Sequence, residues 1–263
     1  MKILTEIALT NFAKVFGSCG FDTALMSPNI SAFDAFDSFV PDIYIGTMSS
    51  LTSSIVKNIN ERPALKTVII ADCEINQNYK ELLNSVAPNL VYSNSTEEYC
   101  TKTLPFDDYA DPFLYTNASA KDKYKCDIVA IEDNIESKLS QFHFGTNYHF
   151  KIFSNSVVKH SNFCGFLQET NKKDAYKSAK IALCKKENML NAWLAGAYAM
   201  NLETETVSTV IEKLNQDLEP EIKRMQKTIL DTSTSFHFCA TLLKNLMMDL
   251  ESNIILHKLK EIS

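Results

Sequence analysis

Apolar residues recur along the first hundred positions with two alternating periods. In "EIALTNFAKVFGSCGF" they fall at 7, 8, 12, 15 and 16, the spacing of one helical face, and the pattern stops at Gly17 and Gly20. "MKIL" before it is too short to assign by itself. "DTALMS" reads as a strand, and "PDIYIGT" at 41–47 is a compact apolar strand that follows a proline. "SLTSSIVKNINER" is helical, and "KTVIIADC" at 66–73 is a β-branched run of the kind buried in a parallel sheet. "NYKELLNSV" is again helical and "PNLVYSNS" again a strand. Strand and helix alternating at this pitch predict a doubly wound α/β layer.

The periodicity breaks at "PFDDYADPF", 105–113, where two prolines and three aspartates mark a linker; the "DDYAD" cluster, Asp107 to Asp111, reads as a solvated hinge. Beyond it the alternation resumes with "KYKCDIVAIED" (strand), "NIESKLSQFHFG" (helix), "YHFKIFS" (strand), "NKKDAYKSAK" (helix), "IALC" (strand), "ENMLNAWLAG" (helix) and "YAMN" (strand). From Glu203 onward the pattern is almost wholly helical. The expected organisation is an N-terminal Rossmann-like domain over 1–112, a second over 122–250, and a C-terminal helix over 251–263 that packs back on the first. A cleft flanked by the strand ends carrying Asp72 and Phe153 is expected between the domains. Gly17, Gly20, Gly145 and Gly196 each stand where a helix gives way to a strand, a place that tolerates a left-handed residue cheaply. Phe33, Phe36 and Phe39, three apart, read as a helix face.

Composition narrows the function classes. The 263 residues are 45% apolar and 22% charged, a soluble globular balance, and no run of 18 apolar residues exists, which predicts a cytoplasmic chain without a membrane span. Net charge is -6, and Arg62 and Arg224 are the only arginines. A basic stripe that would track a phosphate backbone is missing, so charge disfavours nucleic acid as a partner. The seven cysteines show no metal-ligand spacing and suit reduced thiols, and no metal site is expected. Six glycines leave no GxGxxG, no GxxxxGK[ST] and no GxSxG, which disfavours ATPases, GTPases, ordinary dinucleotide enzymes and α/β-hydrolases.

The ordered strings "KYKCDIVAIEDN", "FGTNYHFKIFSNS", "FCGFL", "DAYKSAKIALCKKENMLNAWLAGAYAMN" and "STSFHFCATLLKNLM" resemble the donor-binding half of GT-B glycosyltransferases, in particular the spore-protein-like and phage-encoded families. The resemblance spans roughly Lys123 to Met247 and is fainter before it. It implies two Rossmann-like domains, a nucleotide sugar as donor (a UDP-sugar foremost), no required metal, and an acceptor of unnamed class. In the family a glutamate on the "ENMLNAWLAG" helix holds the ribose and an arginine one turn earlier meets the diphosphate. Aligned on Ala195, Gly196 and Ala197, these positions are Asn191 and Asn188, the glycine after the "IF" strand is Ser154, and the usual glycine-rich stretch after "DIV" is "AIEDN".

An amide carries no charge, so a contact through Asn191 is weaker than the carboxylate's. Either the chain is a divergent transferase whose diphosphate contact comes from Lys180 or Lys185 and from helix N-termini, or catalysis is lost and the fold serves binding or inhibition. A plainer reading makes Asn188 and Asn191 the exposed face of a helix whose apolar face is Met189, Leu190, Trp193, Leu194 and Ala197. An unrelated α/β binding protein is the third class. On the acceptor side, Asp72 directly follows the "TVIIA" strand at the carboxyl end where open α/β sheets hold ligands. By resemblance to phage DNA glucosyltransferases it is the candidate general base; its alternative is a helix or turn cap.

Overall fold

The computed structural model describes residues 1–73, 77–94, 102–133 and 136–262. It divides into two compact α/β units. Unit 1 is Met1–Asp107 together with the helices from Ser235 onward, and unit 2 is Asp108–Thr234. Both are Rossmann-like layers built on parallel sheets.

Unit 1 holds β1 (Lys2–Glu6), β2 (Asp22–Met26), β3 (Ile43–Thr47), β4 (Lys66–Ile70), β5 (Leu90–Tyr92) and β6 (Thr103–Leu104), all parallel, in the order β2-β1-β3-β4-β5-β6. The helices Thr10–Ser18, Ala32–Phe39, Ser53–Asn60 and Gln77–Val86 connect them. "MKIL", unassigned from sequence, opens an inner strand with hydrogen-bonded neighbours on both sides. Its polar ends, Lys2 and Glu6, hid it. Every residue of β3 is buried, as expected of an apolar run flanked by β1 and β4. Ser31 and Thr52 start their helices by accepting the Asp34 and Ile55 amide hydrogens at 3.1 and 3.3 Å. Phe33, Phe36 and Phe39 do share the helix Ala32–Phe39, but Phe36 is fully buried while Phe33 is exposed, because steps of three drift around a helix of 3.6 residues per turn.

The tail corrects the expected boundary. Residues 235–250, assigned from sequence to the second domain, belong to unit 1. The cause is visible in the helix Ser235–Asn245, whose Phe238 stacks on Phe12 at 5.0 Å and meets Tyr92 at 4.9 Å and Phe106 at 5.2 Å. Lys66 and Lys102 then donate to Leu246 O (2.9 Å) and Asn245 Oδ1 (3.0 Å). The final helix is Asp249–Ile262.

Unit 2 carries β7 (Cys126–Ile131), β8 (Phe150–Phe153), β9 (Ala179–Cys184) and β10 (Tyr198–Asn201), all parallel, in the order β10-β9-β7-β8. Its longer helices are Glu169–Lys177, Lys186–Ala195, Val207–Leu214 and Glu219–Thr232. Among the described residues the helix expected over "NIESKLSQFHFG", whose first two positions lie outside them, is one turn, Glu136–Leu139, after which buried Phe142 and Phe144 carry the chain into the core. Asp111 is no solvated hinge residue: it is 4% exposed and caps the short helix Pro112–Tyr115 through the amide hydrogens of Phe113 and Leu114. Gly196 ends the helix Lys186–Ala195 at φ +103, and a Cβ there would lie 2.8 Å from Lys177 Nζ. Among the described residues no helix is long and apolar enough to cross a membrane.

Candidate functional site

In unit 2 the chain leaves β7 to one side for β8 and to the other for β9. The carboxyl ends of β7 and β9 therefore form a topological switch point, where open α/β sheets take ligands. A cavity of about 220 Å³ lies there, lined by residues that follow each strand: Glu132 and Asp133 after β7, Ser154 and Asn155 after β8, Lys185 and Asn188 after β9. Lys172, from the helix Glu169–Lys177, completes its polar wall.

The two carboxylates are held differently. Glu132 is 7% exposed, and its Oε1 accepts the Lys185 amide hydrogen at 2.8 Å and the Asn188 side-chain amide at 2.9 Å. Burial pushes its carboxyl above the usual glutamate range, the Asn188 and Lys185 hydrogen bonds pull the other way, and the Glu187 charge adds to the rise. Asp133 accepts from the Ser154 hydroxyl at 2.9 Å and from both the backbone and the side chain of Asn155. Burial raises it too, but these hydrogen bonds and the Lys172 charge outweigh burial, so it sits below the ordinary aspartate value. The two adjacent carboxylates are thus shifted in opposite directions, Glu132 upward by burial and Asp133 downward by its hydrogen bonds and the Lys172 charge.

Of the residues singled out from sequence, Ser154, Lys185 and Asn188 meet in this cavity. Lys180 does not. It stands at the amino end of β9, the opposite end of the sheet, where it pairs with Asp127 at 2.9 Å. Asn191 is turned away as well: its Oδ1 accepts the Asp111 amide hydrogen at 3.0 Å, tying the helix Lys186–Ala195 to the start of Pro112–Tyr115. Three residues along a helix are 300° around it, which leaves about 60° between the two asparagines and separates their partners. Trp193 and Leu194 are buried, Trp193 edge-on to Tyr198 at 4.5 Å. Asp72 follows β4 in unit 1, exposed, and its carboxylate accepts both the backbone and the side chain of Ser49.

Glu132, Asp133 and Lys172 escaped the sequence reading. "AIEDN" drew notice only for the glycines it lacks, although the rule that picked out Asp72, a carboxylate directly after a β-branched strand, applies equally to "DIVAIED".

No protein-family model matches the chain, and no curated protein sequence matches it. Similar solved structures include trehalose-6-phosphate from E. coli bound with UDP-2-fluoro glucose, at 10% identity and TM-score 0.46 over 88% of this chain and 77% of that one. The calicheamicin glycosyltransferase CalG4 gives 10% and 0.44 over 93% and 98%. A UDP-GlcNAc 2-epimerase from Methanocaldococcus jannaschii gives 7% and 0.41 over 86% and 92%. At such identities the likeness concerns the fold alone.

Proposed function

We propose that the protein is a nucleotide-sugar-dependent glycosyltransferase whose donor, a UDP-sugar foremost, occupies the switch-point cavity of unit 2. One observation carries this reading: the cavity is lined by the turns after β7, β8 and β9, within the segment whose ordered motifs resemble a donor-binding half. Its polar groups suit the parts of such a donor. Lys172 and Lys185 supply positive charge for a diphosphate in a chain poor in arginine, and Asp133 and Asn188 supply hydroxyl partners. Asp72 is the base proposed for the acceptor hydroxyl, which attacks the anomeric carbon as the nucleoside diphosphate departs.

Calorimetry of the full chain with UDP-, GDP-, TDP- and ADP-sugars tests the proposal. One of them should bind, and Lys185→Ala or Lys172→Ala should weaken it about tenfold, about 1.4 kcal/mol. Asp72→Asn should abolish turnover and leave donor affinity unchanged. Absence of binding by every nucleotide sugar overturns the reading.

A second reading, a binding module of the same ancestry without turnover, is favoured by the bonds at Glu132. Its carboxylate already takes the Lys185 amide hydrogen and the Asn188 side chain, two donors an incoming diphosphate would use. Tight donor binding with no hydrolysis or transfer would select it.

A further inference from the structure

Unit 1 has a switch point of its own, since β1 is flanked by β2 and β3 as β7 is by β8 and β9. A cavity of about 550 Å³ lies at the carboxyl ends of these strands, large enough for a monosaccharide-sized molecule. Among its described lining residues Glu6 is the sole charged group, with Ile7, Met26, Ile30 and Ile55 forming apolar walls. Serine and threonine supply the rest of its polar side chains, and no lysine, arginine, histidine, asparagine or glutamine joins them.

Where the hydroxyl protons go decides what such a lining can bind. Ser31 gives its proton to Asp34 Oδ2 at 2.6 Å, and Ser49 gives its own to Asp72 Oδ2. Ser50 has one proton to share between Thr47 O, at 2.9 Å, and Glu6. These oxygens are left chiefly with lone pairs. Glu6, 6% exposed at the end of β1, accepts the Tyr44 hydroxyl at 2.7 Å. A cavity whose one charge is a buried carboxylate, beside hydroxyl oxygens of Ser31, Ser49 and Ser50 that face it chiefly as acceptors and with no cation among its described lining residues, disfavours phosphates and carboxylates. It rewards a ligand that brings several donors and a positive charge, because a buried carboxylate is costly until it is paired.

We propose that this cavity binds a small hydroxylated ammonium compound of the amino-sugar class, with Glu6 as its counter-ion. The ammonium, which has three donors and no acceptor, meets Glu6 and the committed hydroxyl oxygens, while the ring lies against the apolar walls. The inference concerns unit 1 and does not rest on the nucleotide-sugar reading of unit 2.

Glucosamine, N-acetylglucosamine and glucose titrated calorimetrically into the full chain, without any nucleotide, test it. Glucosamine should bind at least tenfold more tightly than either neutral sugar, and Glu6→Gln should remove that preference, since glutamine still accepts the Tyr44 hydroxyl but carries no charge. Ile30→Lys offers a variant that leaves the buried core untouched, because Ile30 is half exposed at the rim. The added cation should weaken glucosamine and spare glucose. Equal binding of charged and neutral sugars, binding by none of the three, or a glucosamine preference that survives both variants would each overturn the proposal. Because no nucleotide is present, these results stand apart from the donor titrations.

Discussion

The two switch points share a plan and differ in chemistry. In each, a glutamate at the end of the first strand is buried beside the point where the strand order reverses: Glu6 at the end of β1, Glu132 just after β7. Burial raises both carboxyls. Glu6 is met by hydroxyls, from Tyr44 on the neighbouring strand and from Ser50, whereas Glu132 is met by an amide hydrogen and a side-chain amide at the start of a helix. Unit 2 adds Asp133, Lys172 and Lys185 around its cavity, and unit 1 adds only hydroxyls and apolar groups. Topology chooses where the cavity lies. The residues that follow each strand, with Lys172 from a helix in unit 2, choose what it can hold.

The units also differ in how they are closed, and the largest expected effect breaks that contrast. Unit 2 is one continuous stretch, while unit 1 is completed by helices from far along the chain. A fragment of residues 108–234 should therefore give a cooperative melt and dispersed amide resonances, and a fragment of residues 1–107 should give neither. A folded 1–107 fragment would show that the late helices are accessory. A point version is Phe238→Ala, which removes a buried ring stacked among Phe12, Tyr92 and Phe106; it should cost unit 1 about 4 kcal/mol in urea unfolding.

Somewhat smaller is the effect of Asp174→Asn in unit 2. Asp174, 3% exposed, is paired with Lys121 and accepts the Ser119 amide hydrogen at 3.0 Å. The Lys121 side chain is 42% exposed, so water replaces much of the lost pairing and the change should cost about 1 kcal/mol at neutral pH. Burial raises this carboxyl, but the Lys121 and Ser119 bonds overcome burial and hold it below the usual aspartate value. The stability it contributes is therefore present above the unfolded-state value and lost as pH falls through the lower folded-state value. The difference between wild type and Asp174→Asn should shrink accordingly in acid melts.

The smallest effect sharpens the parallel between the glutamates. Both are raised in the folded state, so the stability linked to their protonated forms is complete below the unfolded-state value and lost as pH rises through the folded one. Glu6→Gln and Glu132→Gln should each raise the melting temperature at pH 7 and leave it unchanged in acid. If only one responds, the likeness between the two positions is geometric alone.

Much of the layer pattern was legible because β-branched runs such as "TVII" and "DIVAI" have one good use, as inner parallel strands. β1 was not, since it is five residues long with a charge at each end, and its burial comes from neighbours forty residues away in sequence at most. The tail was legible as helices but not as part of unit 1, because an apolar helix face does not say which sheet it will cover; Phe238 finds Phe12 and Tyr92 only in three dimensions. Within the site, Ser154 and Asn188 follow from motif alignment, and Lys185 from the search for a cation to replace the missing arginine. Asn191 shares their helix or strand neighbourhood but turns to Asp111, a contact between segments eighty residues apart that no local pattern encodes. Glu132 and Asp133 look in sequence like any acidic turn, and only the burial of Glu132 distinguishes them.

The return of the Ser235–Asn245 helix to unit 1 also sets an order of events on the ribosome. The first sheet is synthesised early, yet the aromatic face that Phe12 and Tyr92 present is covered only after all of unit 2 has been made. Unit 2, whose contacts are contained within its own stretch, can fold while that face still waits. Translation thus leaves the N-terminal layer as the segment whose aromatic face waits longest for its cover, and so the one most exposed to chaperones.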